Sequence, residues 1–427
     1  MISTILGAFR VGEIRHKVLF TAVVLALYRL GTHIPAPGIS ASAVNQIQKS
    51  NLGSSGILGL LNLFSGGALT RIAIFALGIM PYITASIILQ LLTVVMPSLE
   101  KLQKEGEVGQ ARITQYTRYL TVGLAFAQSI GYVFLFRSLE NQAGVTLIPN
   151  FTLAKVFLIV ISLTSGTVLL MWMGELITQR GIGNGISLLI FASIVSRIPN
   201  GLNSWWNNPD QVFRVVMPFI AIGVVAAVVF VQEGQRRIPI QYAKRVIGRR
   251  MTQGGQTYLP LRVNMAGVIP VIFAASVMAI PPTVGQLVGQ NRNNFATSLA
   301  TFFSPQGWHY VLGESLFIIV FTYFYTAVTF NPVDQADNLK KYGGFIPGVR
   351  PGRPTAEFLD RILARLTFPG ALFLAAIAAL PTVLINQTNA NFFFGGTSIL
   401  IVIGVALDTM KQLEAQLMMR NYEGFLK

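Results

Sequence analysis

The sequence predicts an all-α polytopic membrane protein in which ten transmembrane helices form two inverted halves of five. Three observations support this fold class. The chain of 427 residues is 52% hydrophobic and only 11% charged, whereas about a quarter of the residues of a soluble protein are charged. The apolar residues form long uninterrupted runs and not amphipathic stripes. The basic residues concentrate in alternate connections between these runs.

Ten apolar runs are the candidate spans, because about 20 apolar residues in a helix cross the hydrocarbon core of a bilayer. The second run carries no charge over 24 residues, and it follows a glycine-broken segment, residues 61–71, that is too short to cross. The fifth and tenth runs are short and give the weakest signals. In chain order, the predicted spans are residues 18–34, 72–95, 119–136, 151–173, 186–198, 212–231, 265–281, 311–330, 366–385 and 392–407.

The distribution of charge predicts the topology. When the connections are assigned alternately to the two sides, one side holds 24 of the 32 basic residues. The positive-inside rule places that side, with both termini, in the cytoplasm. Residues 1–200 and 201–427 then hold five spans each and enter the membrane from opposite sides, as in an inverted repeat. The pattern G-x-x-P-x-I occurs at residues 78–83 and again at 267–272, although chance could also produce so short a match.

The prolines of these two patterns, Pro81 and Pro270, each remove a backbone hydrogen bond and therefore favour a kink. Such kinks would let two facing helices hinge. Ordinary helix packing is the simpler explanation, since prolines are tolerated in membrane helices.

Pairs of isoleucines share a helix face in two of the spans. Ile79 and Ile83 are four residues apart, as are Ile186 and Ile190. Isoleucines in membrane spans usually face lipid or the protein core. Arranged around a narrow pore, they would form an apolar constriction that blocks ions.

The connection at residues 232–263 holds seven basic residues, and Glu233 is its only acid. Topology and anionic lipid account for a few such charges, at roughly 1 kcal/mol each. Seven on one loop favour a large acidic partner, such as ribosomal RNA or an acidic protein surface. Residues 246–251 and 256–261 resemble two strands of a hairpin. In the connection at residues 331–365, a Pro/Gly turn would hold Arg350 in a fixed place.

Several functional classes lack support in the sequence. The chain has no cysteine and only three scattered histidines, so neither a metal centre nor any cofactor is expected. We find no nucleophile–base pair, HExxH or Walker motif, so the protein is not expected to be an enzyme. A secondary transporter with inverted repeats is an alternative, but it would need ionisable residues near the midplane, which the spans lack. A structural scaffold for membrane assembly is a second alternative.

Longer motifs carry a resemblance to a known family. They cover nearly the whole chain, at residues 62–71, 74–83, 104–107, 115–118, 181–187, 262–270, 336–340, 346–352 and 394–398. In these motifs the sequence resembles the SecY family of bacterial protein-conducting channel subunits.

The resemblance implies a fold and a function. The two halves would surround a central hourglass pore in the plasma membrane. The pore would translocate unfolded preproteins and release hydrophobic segments laterally into the lipid bilayer, driven by a bound ribosome or by the motor ATPase SecA. SecE and SecG would be its membrane partners, and signal peptides and nascent chains its substrates.

The resemblance also implies site residues. The plug would occupy residues 57–71 and include Leu61, Asn62, Phe64, Ser65, Gly66, Gly67 and Arg71. The pore ring would consist of Ile79, Ile83, Ile186, Ile190, Ile272 and Ile401. The lateral gate, between spans 2 and 3 on one side and spans 7 and 8 on the other, would include Pro81, Ser86, Gln90, Pro270 and Ser276. The surface that docks SecA or the ribosome would include Arg236, Arg237, Lys244, Arg245, Arg249, Arg250 and Arg350.

Overall fold

Helices make up most of the computed structural model, which describes residues 11–49, 62, 64–207, 211–242, 245–247, 250–252, 255–288, 302–303, 307–388 and 396–425. The first part of the chain contains α1 (Gly12–Gly31), α2 (Ala41–Lys49), α3 (Met80–Val95), α4 (Pro97–Lys104), α5 (Glu107–Ala143), α6 (Leu153–Arg180), α7 (Gly185–Val195), α8 (Ile198–Trp206) and α9 (Gln211–Glu233). The second part contains α10 (Ile269–Val288), α11 (Trp308–Thr329), α12 (Pro332–Lys341), α13 (Arg353–Thr388) and α14 (Gly396–Phe425). The strands are β1 (Gln235–Tyr242), β2 (Arg245–Ile247), β3 (Arg250–Thr252), β4 (Gln256–Arg262) and β5 (Gly344–Phe345).

The described part of the chain contains six helices that are long and apolar enough to cross a membrane. The number rises to seven if α3 and α4, which meet at an angle of 99°, count as one span. The predicted first, seventh and tenth spans coincide with α1, α10 and α14, which do not meet the same criteria. The protein is thus an all-α polytopic membrane protein, and the count of ten spans stays a prediction.

The prolines of the two G-x-x-P-x-I patterns do not kink a helix, so that prediction is wrong. Residues 72–79 form turns, and Pro81 is the second residue of α3. Pro270 is likewise the second residue of α10. In the first turn of a helix the backbone N–H has no partner within the helix, so a proline costs no hydrogen bond there. Gly78 and Gly267 precede the two helices with left-handed φ angles of 60° and 63°, which glycine adopts without strain.

The helices pack in the same order in both parts of the chain. In the first part, α3 lies on α5, α5 on α6 and α6 on α7, while α1 contacts both α6 and α7. In the second part, α10 lies on α11, α11 on α13 and α13 on α14, while α9 contacts both α13 and α14. The two sets meet where α3 and α5 contact α10 and where α7 contacts α14.

A three-stranded antiparallel sheet, in the order β4-β1-β5, joins the two basic connections. The predicted strand at residues 256–261 exists as part of β4, but its partner is β1, from Gln235↔Arg262 to Gln241↔Gln256. Residues 245–252 instead form a separate hairpin of β2 and β3. The prediction thus paired the wrong strands. The sequence of β1 did not reveal it as a strand, although its buried side chains hold it against the protein.

A small hydrophobic core supports this sheet. Ile238 on β1 and Leu261 on β4 pack with Ile346, which follows β5, and with Leu359 and Leu363 on α13. All five side chains are at most 5% exposed. We call the three-stranded sheet together with residues 346–350 the basic platform, and its core makes both connections one packed unit.

We predict that Gly166→Ala destabilises the protein and that Gly123→Ala does not. A Cβ at Gly166 on α6 would lie 2.3 Å from the Ile74 carbonyl oxygen, whereas a Cβ at Gly123 on α5 would have no neighbour within 4 Å. The collision should lower the free energy of unfolding by about 1–3 kcal/mol, while Gly123→Ala should raise it slightly because alanine favours helices. Thermal unfolding in detergent measures both changes, and equal effects would contradict the close packing of α6 on Ile74.

Candidate functional site

The six isoleucines of the predicted ring come together in one hydrophobic cluster of the protein interior. They lie in the turn before α3, on α3, on α7, on α10 and on α14. Five of them are between 0% and 4% exposed, and the half-buried Ile186 packs against the same cluster. None of these side chains is directed mainly outward from the protein. The structure therefore gathers apolar side chains from both parts of the chain, as an apolar constriction would need.

The described part of the predicted plug turns back on itself after Phe64 and is held by its own hydrogen bonds, whereas residues 57–61, Leu61 included, and residue 63 lie outside the described residues. Gly67 N donates to the Asn62 carbonyl oxygen at 3.0 Å, and Thr70 N donates to Asn62 Oδ1 at 3.3 Å. Ser65 Oγ accepts a hydrogen bond from Leu69 N at 3.2 Å. Because the segment satisfies much of its own backbone, it can be buried without forming a helix.

Close contacts hold this segment against α1 and α7. Arg29 Nη1 donates to the Gly66 carbonyl oxygen at 2.7 Å. A Cβ at Gly66 would lie 2.9 Å from the Tyr28 hydroxyl and 3.3 Å from Ser193 Cα. The hydroxyls of Tyr28 and Ser193 hydrogen-bond to each other at 2.5 Å. Phe64, in the same segment, is 3% exposed and therefore buried.

Phe64 also connects the segment to the ring. It lines a narrow gap together with the ring residue Ile79 and with Tyr28, Leu170 and Leu189. The segment thus packs directly on one member of the ring. Neither Tyr28 nor Ser193 could be predicted from the sequence, because the two lie 165 positions apart and no periodic pattern links them.

Arg71, at the end of the segment, is bound to the end of α1. Its Nη1 donates to His33 Nε2 at 2.6 Å, and His33 Nδ1 lies 2.9 Å from the Arg29 carbonyl oxygen. Since arginine can only donate, Nε2 is the acceptor and Nδ1 carries the proton. The neighbouring backbone is also paired, because Ala36 N donates to the Ile72 carbonyl oxygen at 2.9 Å.

The predicted gate residues lie on α3 and α10, two helices that contact each other. Pro81, Pro270 and Ser276 are buried, and Ser86 and Gln90 are half-buried. Ser276 Oγ lies 3.9 Å from Met80 Sδ across the two helices. Gln90 Oε1 is buried and has no hydrogen-bond partner among the described residues. Among the described residues, the contact between α3 and α10 thus includes one weak polar interaction, that of Ser276 with Met80.

The predicted docking residues are divided between described and undescribed positions. Arg236 and Arg237 on β1 and Arg350 after β5 are exposed on the basic platform. Arg245 lies on β2 and Arg250 on β3, with side chains outside the described residues. Lys244 and Arg249 lie wholly outside them. The structure therefore brings three of the seven side chains onto one packed unit. Within the described residues, no group of three or more His, Asp or Glu side chains could hold a metal ion.

Comparisons with known proteins agree on one family. A family model described as SecY matches residues 73–410. The chain is 51% identical over 445 residues to the protein translocase subunit SecY of Streptomyces galbus and 49% identical over 442 residues to that of Corynebacterium glutamicum, with 100% of each chain covered.

Two solved structures share the fold. One is described as "The structure of a protein conducting channel" and has a TM-score of 0.65 at 20% identity, covering 93% of this chain and 91% of the other. The second is described as "Sec61 in the Canine ribosome-channel complex from the endoplasmic reticulum" and has a TM-score of 0.61 at the same identity and coverage.

We predict that Gly66→Ala loosens residues 62–71, whereas Gly67→Ala does so much less. Both glycines have left-handed φ angles, of 65° and 89°, so both substitutions strain the backbone. Only Gly66→Ala adds a collision, because a Cβ at Gly67 would have no neighbour within 4 Å. The measurement uses Ser65→Cys as a reporter, since the chain has no other cysteine and Ser65 is 1% exposed. A water-soluble maleimide should label it faster in the Gly66→Ala background, and equal labelling in both backgrounds would contradict the packing on Tyr28 and Ser193.

Proposed function

The chain belongs to the SecY family, and on that premise we propose that it forms a protein-conducting channel for unfolded preproteins in the plasma membrane. The observation that carries this proposal is the buried cluster in which apolar side chains from both parts of the chain meet a compact, non-helical segment. The alternative of a secondary transporter is not favoured, because the full-length relatives are protein translocase subunits.

The six isoleucines act as a pore ring in this proposal. An apolar constriction excludes water and therefore blocks ions, yet flexible side chains can separate around a passing polypeptide. Their common burial supports this role. Residues 57–71 act as the plug, which is supported by the contact of Phe64 with Ile79. A typical intramolecular hydrogen bond contributes only about 1 kcal/mol, so a threading chain can displace the plug by breaking its few contacts to α1 and α7.

The proposed gate between α3 and α10 sorts polypeptide segments by partition. Each Leu, Ile or Phe gains roughly 0.3–0.6 kcal/mol at the bilayer centre, while each charged residue costs about 2.5–3.5 kcal/mol. A gate that lets a segment reach lipid therefore retains hydrophobic segments in the membrane and lets polar ones pass. The contact of α3 with α10 supports this gate, as does the burial of Pro81, Pro270 and Ser276 on these two helices.

The basic platform docks the partner that drives translocation, which is the ribosome or SecA. Its exposed arginines attract acidic surfaces at long range, and Lys244, Arg245, Arg249 and Arg250 would add to this charge. SecE and SecG are the proposed membrane subunits. The positive-inside rule places the platform and both termini in the cytoplasm.

The channel divides into two inverted halves, residues 1–200 and 201–427, around an hourglass pore. The equal packing order of the helices supports this division. Gly78 and Gly267, which precede α3 and α10, support it too, because both have a left-handed φ angle at the same point of each half.

Replacing Ile83 and Ile272 by serine should raise ion leak through the closed channel severalfold, because polar side chains let water enter the constriction. Single-channel conductance in planar bilayers measures the leak. Ile222→Ser is the matched control, since Ile222 on α9 is 68% exposed and lies outside the cluster. Equal conductance in the double variant and the control would refute the ring.

Arg350→Glu should reduce export of a secretory protein in cells depleted of the native protein, because it reverses one charge of the proposed docking surface. The side chain is exposed, so the change in stability should stay within about 0.5 kcal/mol. Arg112→Glu makes the same change at an exposed position of α5 outside the platform. Normal export with Arg350→Glu, or equal loss with both variants, would contradict docking at the platform.

A further inference from the structure

Three arginines lie around the end of the proposed plug, on the side of the membrane opposite the basic platform in the proposed topology. Arg29 is in the last turn of α1, Arg71 ends the plug segment, and Arg197 follows α7. All three side chains are half-buried. We call these three residues the arginine site.

Hydrogen bonds attach two of the three arginines to the plug segment and to each other. Arg29 Nη1 donates to the Gly66 carbonyl oxygen at 2.7 Å. Arg71 Nη1 donates to His33 Nε2 at 2.6 Å, and His33 Nδ1 in turn lies 2.9 Å from the Arg29 carbonyl oxygen. The position of the segment therefore depends directly on Arg29 and Arg71.

Arg197 completes the site from the side of α7. It lies four residues after Ser193 in the continuous helix Gly185–Asn203, and four residues of helix correspond to about 6 Å. The Ser193 hydroxyl is 2.5 Å from the hydroxyl of Tyr28, the neighbour of Arg29. The three positive charges are close enough to act on one another, because Arg29 repels Arg71 and both repel Arg197.

The described part of the chain supplies no negative charge to offset this repulsion. Residues 14–99 and 176–209 contain neither Asp nor Glu. The ion pairs between described residues include none of the three arginines. Charges that are partly withdrawn from water are usually paired with an opposite charge. The arginine site therefore calls for a counter-ion from outside the chain.

Free hydrogen-bond donors are available to such a counter-ion. Each arginine carries five N–H groups. Arg71 uses one nitrogen, toward a histidine, and the side chain of Arg197 has no hydrogen-bond partner among the described residues. The nitrogens of Arg197 are not among the unpaired atoms that are buried, so an anion can reach them. The planar fork of a guanidinium group fits two oxygens of a phosphate.

Neighbouring apolar side chains indicate that the site lies at the depth of the lipid headgroups. At the end of α1, Leu30 and Ile34 are 64% and 51% exposed. On α8, which begins directly after Arg197, Leu202 and Trp206 are 53% and 67% exposed. Tryptophan is enriched where the hydrocarbon of a membrane meets the headgroups. Phosphate groups are present at this depth, both in the lipids and in the adjoining solution.

We propose that the arginine site binds one phosphate group, from a lipid headgroup or from free phosphate on this side of the membrane. Its negative charge offsets the repulsion among Arg29, Arg71 and Arg197, and its oxygens accept hydrogen bonds from the free N–H groups. Because Arg29 and Arg71 also hold the plug segment, the bound phosphate keeps that segment in place. The inference deepens the proposed plug function by adding a ligand that regulates it.

The test follows maleimide labelling of Ser65→Cys in the complete translocase, in a neutral maltoside detergent without phosphate. One arm adds inorganic phosphate, with chloride at equal ionic strength as its reference, and the other adds phosphatidylglycerol. A ligand that binds only the closed segment should slow labelling about tenfold when it is present at about ten times its Kd. Slowing by inorganic phosphate identifies the free anion as the ligand, and slowing by the lipid alone identifies a headgroup.

Arg197→Gln removes one guanidinium group without removing a described hydrogen bond of the plug segment. This variant should lose the response to phosphate and to the lipid. Without either ligand it should label no faster than the native background, because it removes repulsion between like charges. Arg137→Gln is the matched control, since Arg137 on α5 is exposed and lies over the ring of Phe151, outside the site. It should keep the full response.

Three results would overturn the inference. The first is unchanged labelling in both arms, which would leave the site to a carboxylate of a polypeptide. The second is equal slowing by chloride and phosphate, which would show screening without binding. The third is a response that survives in Arg197→Gln or is lost equally in Arg137→Gln. A wild-type protein that exports no preprotein would instead refute the channel function and leave the phosphate site standing, because labelling reports on the segment itself.

Discussion

The constraint on which this structure depends is the burial of a non-helical stretch of backbone, residues 65–79, among the helices. Backbone polar groups in hydrocarbon must be paired within the protein, so irregular backbone at membrane depth is tolerated only inside the protein or beside water. Here the pairing comes partly from the stretch itself and partly from α1 and the residues that follow it. Ile74 N, for example, donates to the Ile34 carbonyl oxygen at 3.0 Å. Helices α1, α6 and α7 are thereby held around a centre that is not helical.

This constraint also explains why glycine appears where it does. Gly66 allows the segment to approach Tyr28 and Ser193, and Gly166 allows α6 to approach the Ile74 carbonyl oxygen. In each case a single methyl group would collide with a neighbour. The absence of a side chain at these two positions therefore allows the buried stretch to pack closely against α1, α6 and α7.

The sequence predicted the helices and the family well, and the local backbone geometry less well. Hydropathy and charge located a helix for each predicted span, and the long motifs identified the family. Hydropathy could not show that α3 begins at Met80, because residues 72–79 are as apolar as the helix and differ from it in backbone geometry, with positive φ angles at Ile72 and Gly78. It also could not show that α14 continues to Phe425, beyond the apolar run. The contact of Tyr28 with Ser193 depends on tertiary structure, for which one sequence carries no signal.

The three-stranded sheet is joined by short connections to α9 and α10. β1 begins two residues after Glu233, where α9 ends, and only six residues separate Arg262 at the end of β4 from Ile269 at the start of α10. With connections this short, a displacement of the sheet would be passed on to α10, and α10 is the helix that contacts α3. A motor that pushes on the sheet would thus load the seam between the two parts of the chain without touching any residue inside the membrane.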